Sequence, residues 1–468
     1  MRKTTLLIVL FLIGLSPAWG QTGLQQRLDK LIEEFLPPGS EIGVSVYDLT
    51  SKKQLYAYRD DKLSRPASVM KLLTTITALD LRGGTEPFQT HAWYKGVIEQ
   101  DTLHGDLYVV GGFDPEFGDA EMDTLVSRVT TLPFSVITGK VYADVTMKDS
   151  LYWGSGWAWD DTPSSFQPYL SPLMFHKGMV KITATPTMKG DTASVVAEPV
   201  SSFYTLVNQT ESRTPAAGKF VVSRNWLENG NEIVVKGNVA SERTGEVNIY
   251  HSQDFFMHTF IERLRNDSIE VDNIYGYKEF MADSTAVLIT RLDCPIQNVL
   301  SRVMKKSDNL SAEALLYRLA AQCEGRKRVC ADDGLKAINR LIQRIGHNPK
   351  DYKIADGCGL SNYNYLSPAL LVDFLKFAYS RTTIYQYLYK ALPTAGVDGT
   401  LQNRMKGESI ARKNVFAKTG SFTAISTLAG YARNSKGNDI AFAIMNQNVI
   451  KLADARKLQD KICEILCE

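Results

Sequence analysis

The 468 residues carry a net charge of +2, with 44% hydrophobic and 22% charged residues. This composition excludes a disordered chain and leaves length for a large core and two or more domains. The near-neutral balance and the lack of a long Lys/Arg run exclude a charge-driven nucleic-acid surface.

Arg2 and Lys3 precede an apolar run from Leu6 to Leu15, and the small residues Ala18 and Gly20 follow. This is the pattern of a secretory signal peptide cleaved after Gly20, so residues 1–20 are set aside from the fold. The run is short for a membrane anchor, and no membrane span is expected after cleavage. No cysteine follows the cleavage site, so no lipid anchor is expected there.

Leu24, Leu28, Leu31, Ile32 and Phe35 recur at helical spacing, and Pro37-Pro38-Gly39 stops that helix. Residues 42–47 predict a strand that turns back through 50–53 into a second strand at 55–58. Pro66 then introduces the run of Leu72, Leu73, Ile76 and Leu79, which predicts a buried helix starting near Ala67. Ser68 and Lys71, three residues apart, share one face of that helix. A serine hydroxyl needs a base to become a nucleophile. A lysine amine serves as one when desolvation or another cation lowers its pKa. About one or two Ser-x-x-Lys matches arise by chance in a chain this long, so the pair alone decides nothing.

From about Pro87 to Asp283 short apolar runs alternate with Gly, Asp, Asn and Pro turns, predicting a mostly β region of one or two subdomains. Helical patterns return near Pro295 and continue through 312–321 and 335–345. Strands at 427–431 and 440–445 precede a closing helix with Leu452, Ala455, Leu458, Ile462 and Ile465 on one face. The two ends of the chain are thus expected to build one antiparallel sheet with helices packed on it, an α+β fold. One domain of residues 21–86 and 284–468 would carry the insertion 87–283.

The six cysteines are Cys294, Cys323, Cys330, Cys358, Cys463 and Cys467. In an exported chain an even count permits disulfides, with Cys323 and Cys330 the most plausible local pair. Cys463 and Cys467, four apart on a helix, have poor geometry for one. There is no CxxC and no HExxH, and the histidines are scattered, so no metal or other cofactor is expected.

Two further stretches change the weight of Ser68 and Lys71. Ser307-Asp308-Asn309 lies between two helical patterns, where a polar loop aims side chains into a cleft. Lys418-Thr419-Gly420-Ser421 closely precedes the 427–431 strand, where an edge can hydrogen-bond an extended peptide. S-x-x-K, S-D-N and K-T-G in this order are the motif set of class A β-lactamases and penicillin-binding proteins. The chain resembles the D-alanyl-D-alanine carboxypeptidase/endopeptidase family of the penicillin-binding protein 4 type, peptidase family S13, over nearly its whole mature length. Besides the motifs, the stretches 105–115, 156–161, 356–361 and 395–401 carry the likeness. Cys358 departs from it, where the family usually has serine, as does Phe113, where a smaller or polar residue is common.

The resemblance implies a penicillin-binding/β-lactamase-like transpeptidase domain and a periplasmic hydrolase. Its partner would be the peptidoglycan stem peptide ending in D-Ala-D-Ala, with β-lactams as covalent inhibitors. It also implies roles. Ser68 is the nucleophile and Lys71 its base. Ser307 relays a proton to the leaving amine, and Asn309 orients Lys71 and the substrate amide. Lys418 adds positive charge and binds the terminal carboxylate with Thr419. The N–H groups of Ser68 and Ser421, with Gly420 between the strand residues, form the oxyanion hole. Asp144 matches by position an acidic residue that contacts the amine of diaminopimelate; a turn aspartate at a strand end fits it as well. Two alternatives share the motifs: a serine β-lactamase, against which stands the lack of a Glu-x-x-Leu-Asn stretch, and a catalytically silent peptidoglycan-binding scaffold.

Overall fold

Strands from the two ends of the chain lie side by side. The computed structural model describes residues 23–82, 84–272, 274–324 and 328–468, so the expected signal segment lies outside the described residues. A five-stranded antiparallel sheet runs in the order Val415–Phe422, Ile425–Arg433, Asp439–Gln447, Glu41–Asp48, Lys53–Tyr58. Side chains alternate across a pleated strand, and the two faces of this sheet differ in size. Ile440, Phe442 and Ile444 join a layer with Leu28 and Ile32 of the helix Gly23–Phe35 and Leu458 and Ile462 of the helix Leu452–Cys467. Ala441, Ala443 and Met445 face the opposite layer, where the helix Pro368–Tyr379 packs on the sheet. Ser367 caps that helix by accepting from Leu370 N–H at 3.2 Å, with Pro368 opening its first turn.

The second layer is a helical body. Met70–Arg82 runs through it against Asn309–Glu324, Ala331–Arg344, Pro368–Tyr379 and Thr382–Ala391. Leu72, Leu73 and Ile76 are fully buried and Leu79 almost so. Each such side chain contributes roughly 1.5–3 kcal/mol on leaving water. The buried run of the sequence is therefore the axis of this layer.

Between Met70–Arg82 and the later helices stands the β-rich region. Its six-stranded mixed sheet has the order Tyr275–Tyr277, Val141–Asp144, Thr102–Val110, Phe88–Glu99, Ala286–Cys294, with Val136–Ile137 pairing Thr102–Val110. Two three-stranded sheets complete it. The strand Ala286–Cys294 pairs with Phe88–Glu99, so the β region runs past residue 283, to where the chain re-enters the helical body. The region also holds two long helices, Asp119–Thr130 and Ser252–Asn266. The second buries Phe255, Phe256, Met257, Phe260, Ile261 and Leu264. Burial on so many sides erases the polar stripe by which a surface helix is read in sequence. No helix among the described residues is long and apolar enough to cross a membrane.

Candidate active site

Ser68 sits on a single 3₁₀ turn, Ala67–Val69, from which the α-helix Met70–Arg82 continues. Ala67 holds φ +49°, a left-handed conformation costing about 1–2 kcal/mol in an L-residue. Three contacts hold that turn. Thr427 Oγ1 donates to Pro66 O at 2.7 Å. A Cβ on Gly420 would lie 2.8 Å from Ser68 N, and one on Gly359 2.0 Å from Ala67 O. Only glycine lets the strand Val415–Phe422 and the 356–361 loop close on the turn from either side. Ser68 stays half-buried at its mouth.

Lys71, one turn on, is fully buried. Its Nζ lies 3.0 Å from Ser68 Oγ and donates to Asn309 Oδ1 at 2.6 Å and to the Cys358 carbonyl at 2.7 Å. Burial lowers its pKa from the ordinary lysine value, partly opposed by the negative charge of Asp356, Asp308 and Glu313. Lys418 is also fully buried. Its Nζ donates to Ser307 Oγ at 2.8 Å and to Thr419 O at 2.7 Å. Burial, then repulsion from Lys71, pushes its pKa well below the ordinary value. Ser307 reaches Lys418 from a left-handed backbone at φ +59° that closes the π-helical turn Arg302–Lys306. Non-glycine left-handed residues thus mark both serines' surroundings, as strain often does at functional sites.

The loop after residue 355 wraps around one carboxylate. Asp356 accepts from Trp157 Nε1, Gly359 N, Ser361 N and Asn364 Nδ2 at 2.6–2.9 Å. Glu313, on the helix Asn309–Glu324, accepts from Gly357 N at 2.9 Å and Cys358 N at 2.8 Å. Burial, with the charge of Asp356, raises Glu313 to about 8. The Cys358 thiol points into this acidic cluster, 3.4 Å from Asp356 Oδ2, and burial then the two carboxylates raise its pKa well above the usual thiol range. Only the backbone carbonyl of Cys358 serves Lys71, so exchanging serine for cysteine here leaves the contact to the amine in place. Phe113, the other departure, is buried and stacked on Tyr317 at 5.2 Å.

The β-rich region reaches the same cluster. Asn309 Nδ2 donates to Phe166 O at 2.7 Å. Lys177 pairs with Asp308 at 3.1 Å and with Glu116 at 2.8 Å, and Glu116 also takes Arg302 at 2.9 Å. Asp308 in turn caps the helix Asn309–Glu324 through Ser311 N at 2.7 Å. The backbone on both sides of Ser307 is thus tied to the inserted strands by charge-assisted bonds.

The structure brings Ser68, Lys71, Ser307, Asn309, Lys418 and Gly420 together. Thr419 and Ser421 line, with Gly420 and Thr427, a cavity of about 550 Å³ shared with Thr400, Arg404, Arg456 and Lys457. Thr419 Oγ1 meets Thr400 Oγ1 at 2.8 Å. Asp144 stands apart from these contacts. Its Oδ1 accepts from Thr146 N and Oγ1, its Oδ2 from Phe280 N, all within the inserted region. One oxygen thus holds the turn at Thr146, and the other the backbone of Phe280, 136 residues on. Glu313, Asp356, Thr427 and Lys177 have no signature of their own in the sequence. Asp356 lies in a stretch the sequence singles out without a role. Among the described residues four cysteines, Cys294, Cys358, Cys463 and Cys467, are buried free thiols; the expected Cys323–Cys330 bridge involves a side chain outside the described residues.

The sequence profile of the D-Ala-D-Ala carboxypeptidase 3 (S13) family matches residues 24–468. A D-alanyl-D-alanine carboxypeptidase from an Actinomadura species is 28% identical over 465 residues, 94% of this chain and 85% of that protein. The D-alanyl-D-alanine carboxypeptidase DacB of Haemophilus influenzae is 25% identical over 418 residues, 87% of this chain and 85% of its own. The crystal structure of penicillin binding protein 4 from Haemophilus influenzae superposes with a TM-score of 0.81 at 23% identity, covering 94% of this chain and 99% of that one.

Proposed function

The chain belongs to the D-Ala-D-Ala carboxypeptidase 3 (S13) family, a family of peptidases, and from that premise we propose a serine mechanism on peptidoglycan stem peptides. The observation that carries it is the fully buried Lys71 amine, 3.0 Å from a half-buried serine hydroxyl and bonded to two acceptors. Asn309 Oδ1 and the Cys358 carbonyl have no proton to give. They take both N–H bonds of a neutral amine and turn its lone pair toward Ser68 Oγ. The desolvation that lowers the Lys71 pKa favours that neutral form.

The chemistry then runs as follows. Ser68 Oγ attacks the carbonyl carbon of the penultimate D-alanine while its proton passes to Lys71 Nζ. The N–H groups of Ser68 and Ser421 stabilise the oxyanion. Ser307 Oγ–H protonates the leaving amine and is reprotonated by the proton Lys71 has taken, so that the C–N bond breaks with Lys71 neutral again and an ester on Ser68 remains. Water cleaves it and restores the hydroxyl. Lys418 and Thr419 hold the carboxylate beside the scissile amide. That carboxylate favours the charged form of Lys418, against the burial and the Lys71 repulsion that lower its pKa. Penicillins acylate the same serine. The export signal expected at residues 1–20 and the proposed substrate both support a periplasmic reaction.

A β-lactamase needs a second base to release the acyl group quickly. The buried acids of this cluster, Glu313 and Asp356, are committed to the N–H groups of Gly357, Cys358, Gly359 and Ser361. Incubation with a fluorescent penicillin is therefore expected to label one site per chain and to hold it for many minutes. Turnover of an acyl-D-Ala-D-Ala peptide accompanies it. Rapid multiple turnover of nitrocefin would favour the β-lactamase, and a folded protein that stays unlabelled would leave only the scaffold.

The cavity lined by Thr419 and Ser421 favours endo-cleavage beside release of terminal D-alanine. With the substrate carboxylate held at Thr419, this cavity would face the leaving group. Arg404 there is neutralised by Asp460 at 2.6 Å, whereas Arg456 and Lys457 are exposed. A cross-linked stem leaves carrying further carboxylates, and these two cations suit it. Replacing both by glutamate is expected to lower kcat/KM on a cross-linked dimer about tenfold, while that on a monomeric pentapeptide stays within about twofold. An equal change on both substrates would remove the cavity from the leaving-group path.

A further inference from the structure

A second concave site lies on the β-rich region. Trp153, Trp159 and Tyr169, from one irregular stretch, and Trp226, from a separate hairpin, wall a cavity of about 380 Å³. Trp159 is 71% exposed and Trp153 42%. Trp159 and Trp226 face each other with ring centroids 5.4 Å apart, and Trp153 lies 5.1 Å from Tyr169. Indoles left this open to water, gathered from two segments, mark a binding surface rather than a core. The polar groups of the wall are Thr162, Gln167 and Asn229, all uncharged. Gln167 is only 3% exposed, and its Oε1 has no hydrogen-bond partner in the protein. A buried amide oxygen without a partner costs stability unless a ligand supplies one.

We propose that this cavity binds an N-acetylhexosamine of the glycan strand that carries the stem peptide. The proposal rests on the peptidoglycan reading above. A pyranose presents an apolar C–H face to the indoles and hydroxyls to Thr162 and Asn229. Its acetamido N–H would supply the donor that Gln167 Oε1 lacks, once the buried amide turns toward the cavity. A stem peptide, with its carboxylates and amine, finds no charge here to pair with. The placement fits: Phe166, next to Gln167, accepts from Asn309 at 2.7 Å, and Trp157 of the same wall donates to Asp356 at 2.9 Å. The sugar would thus lie along the wall that ends at the 356–361 loop and Asn309, holding the strand while its peptide enters the cleft.

The test uses the full mature chain and two readouts. Titration with chitotetraose, followed by indole fluorescence, is expected to saturate, and cellotetraose, which lacks the acetamido group, to bind about tenfold more weakly. Trp159→Ala with Trp226→Ala abolishes the signal, and Gln167→Met brings the two sugars level. In turnover, the ratio of kcat/KM on disaccharide-pentapeptide to that on free pentapeptide falls about tenfold in the double variant. An unsaturable parent titration, or an unchanged ratio, overturns the proposal; an equal loss on both substrates makes the cavity a support of the catalytic loop and overturns it too. A parent that binds chitotetraose but neither takes penicillin nor cleaves peptide keeps the sugar site and removes the peptidase reading.

Discussion

Ser68→Ala is expected to leave the protein folded and unable to form an acyl-enzyme. Peptide turnover should fall by about four orders of magnitude or more, and a fluorescent penicillin should label nothing. The hydroxyl is half-buried, and Lys71 keeps its bonds to Asn309 and Cys358 without it. The melting temperature should therefore stay within about 2 °C of the parent. Labelling that persists in a folded Ser68→Ala protein would assign the nucleophile elsewhere.

Lys71→Met separates the base from the scaffold. Methionine fills similar space but supplies no lone pair, and acylation by penicillin is expected to slow by about a thousandfold or more. The structural cost has two signs. Asn309 Oδ1 and the Cys358 carbonyl lose their donor, at about 1–3 kcal/mol each. Against this, a buried amine and its repulsion of Lys418 disappear. A modest fall in melting temperature with near-complete loss of acylation is the expected pair of results. Parent-like acylation would pass the role of base to Lys418. The parent's pH profile checks the same point. The neutral amine is the active form, so acylation rises with pH and levels off below the ordinary lysine range, in the direction that burial moves Lys71.

Much of this was legible in sequence because it is local. The run through Leu72, Leu73, Ile76 and Leu79 states its helix, and three short motifs carry five of the clustered side chains. What escaped is made by distant contacts. Lys71 meets Cys358 O across 287 residues, and Thr427 holds Pro66 across 361. A backbone acceptor leaves no trace in residue type. The left-handed angles of Ala67 and Ser307 are imposed by what packs around them, against their own preference. The strand Ala286–Cys294 looks like the end of one region because its side chains are mostly half-exposed; its partner Phe88–Glu99 lies some two hundred residues earlier, beyond the reach of any local pattern.

The pairing of Glu41 with Gln447 sets an order of events during synthesis. The central sheet has such distant partners that it closes only after the strands Val415–Phe422, Ile425–Arg433 and Asp439–Gln447 have emerged, whereas the β-rich region is complete in itself much earlier. Until then Ser68 and Lys71 lie on a segment with no Lys418, no Gly420 and no Thr427 beside it. The catalytic cluster is thus completed in one step, by the last stretch of the chain, and a partly made chain carries Ser68 and Lys71 without it.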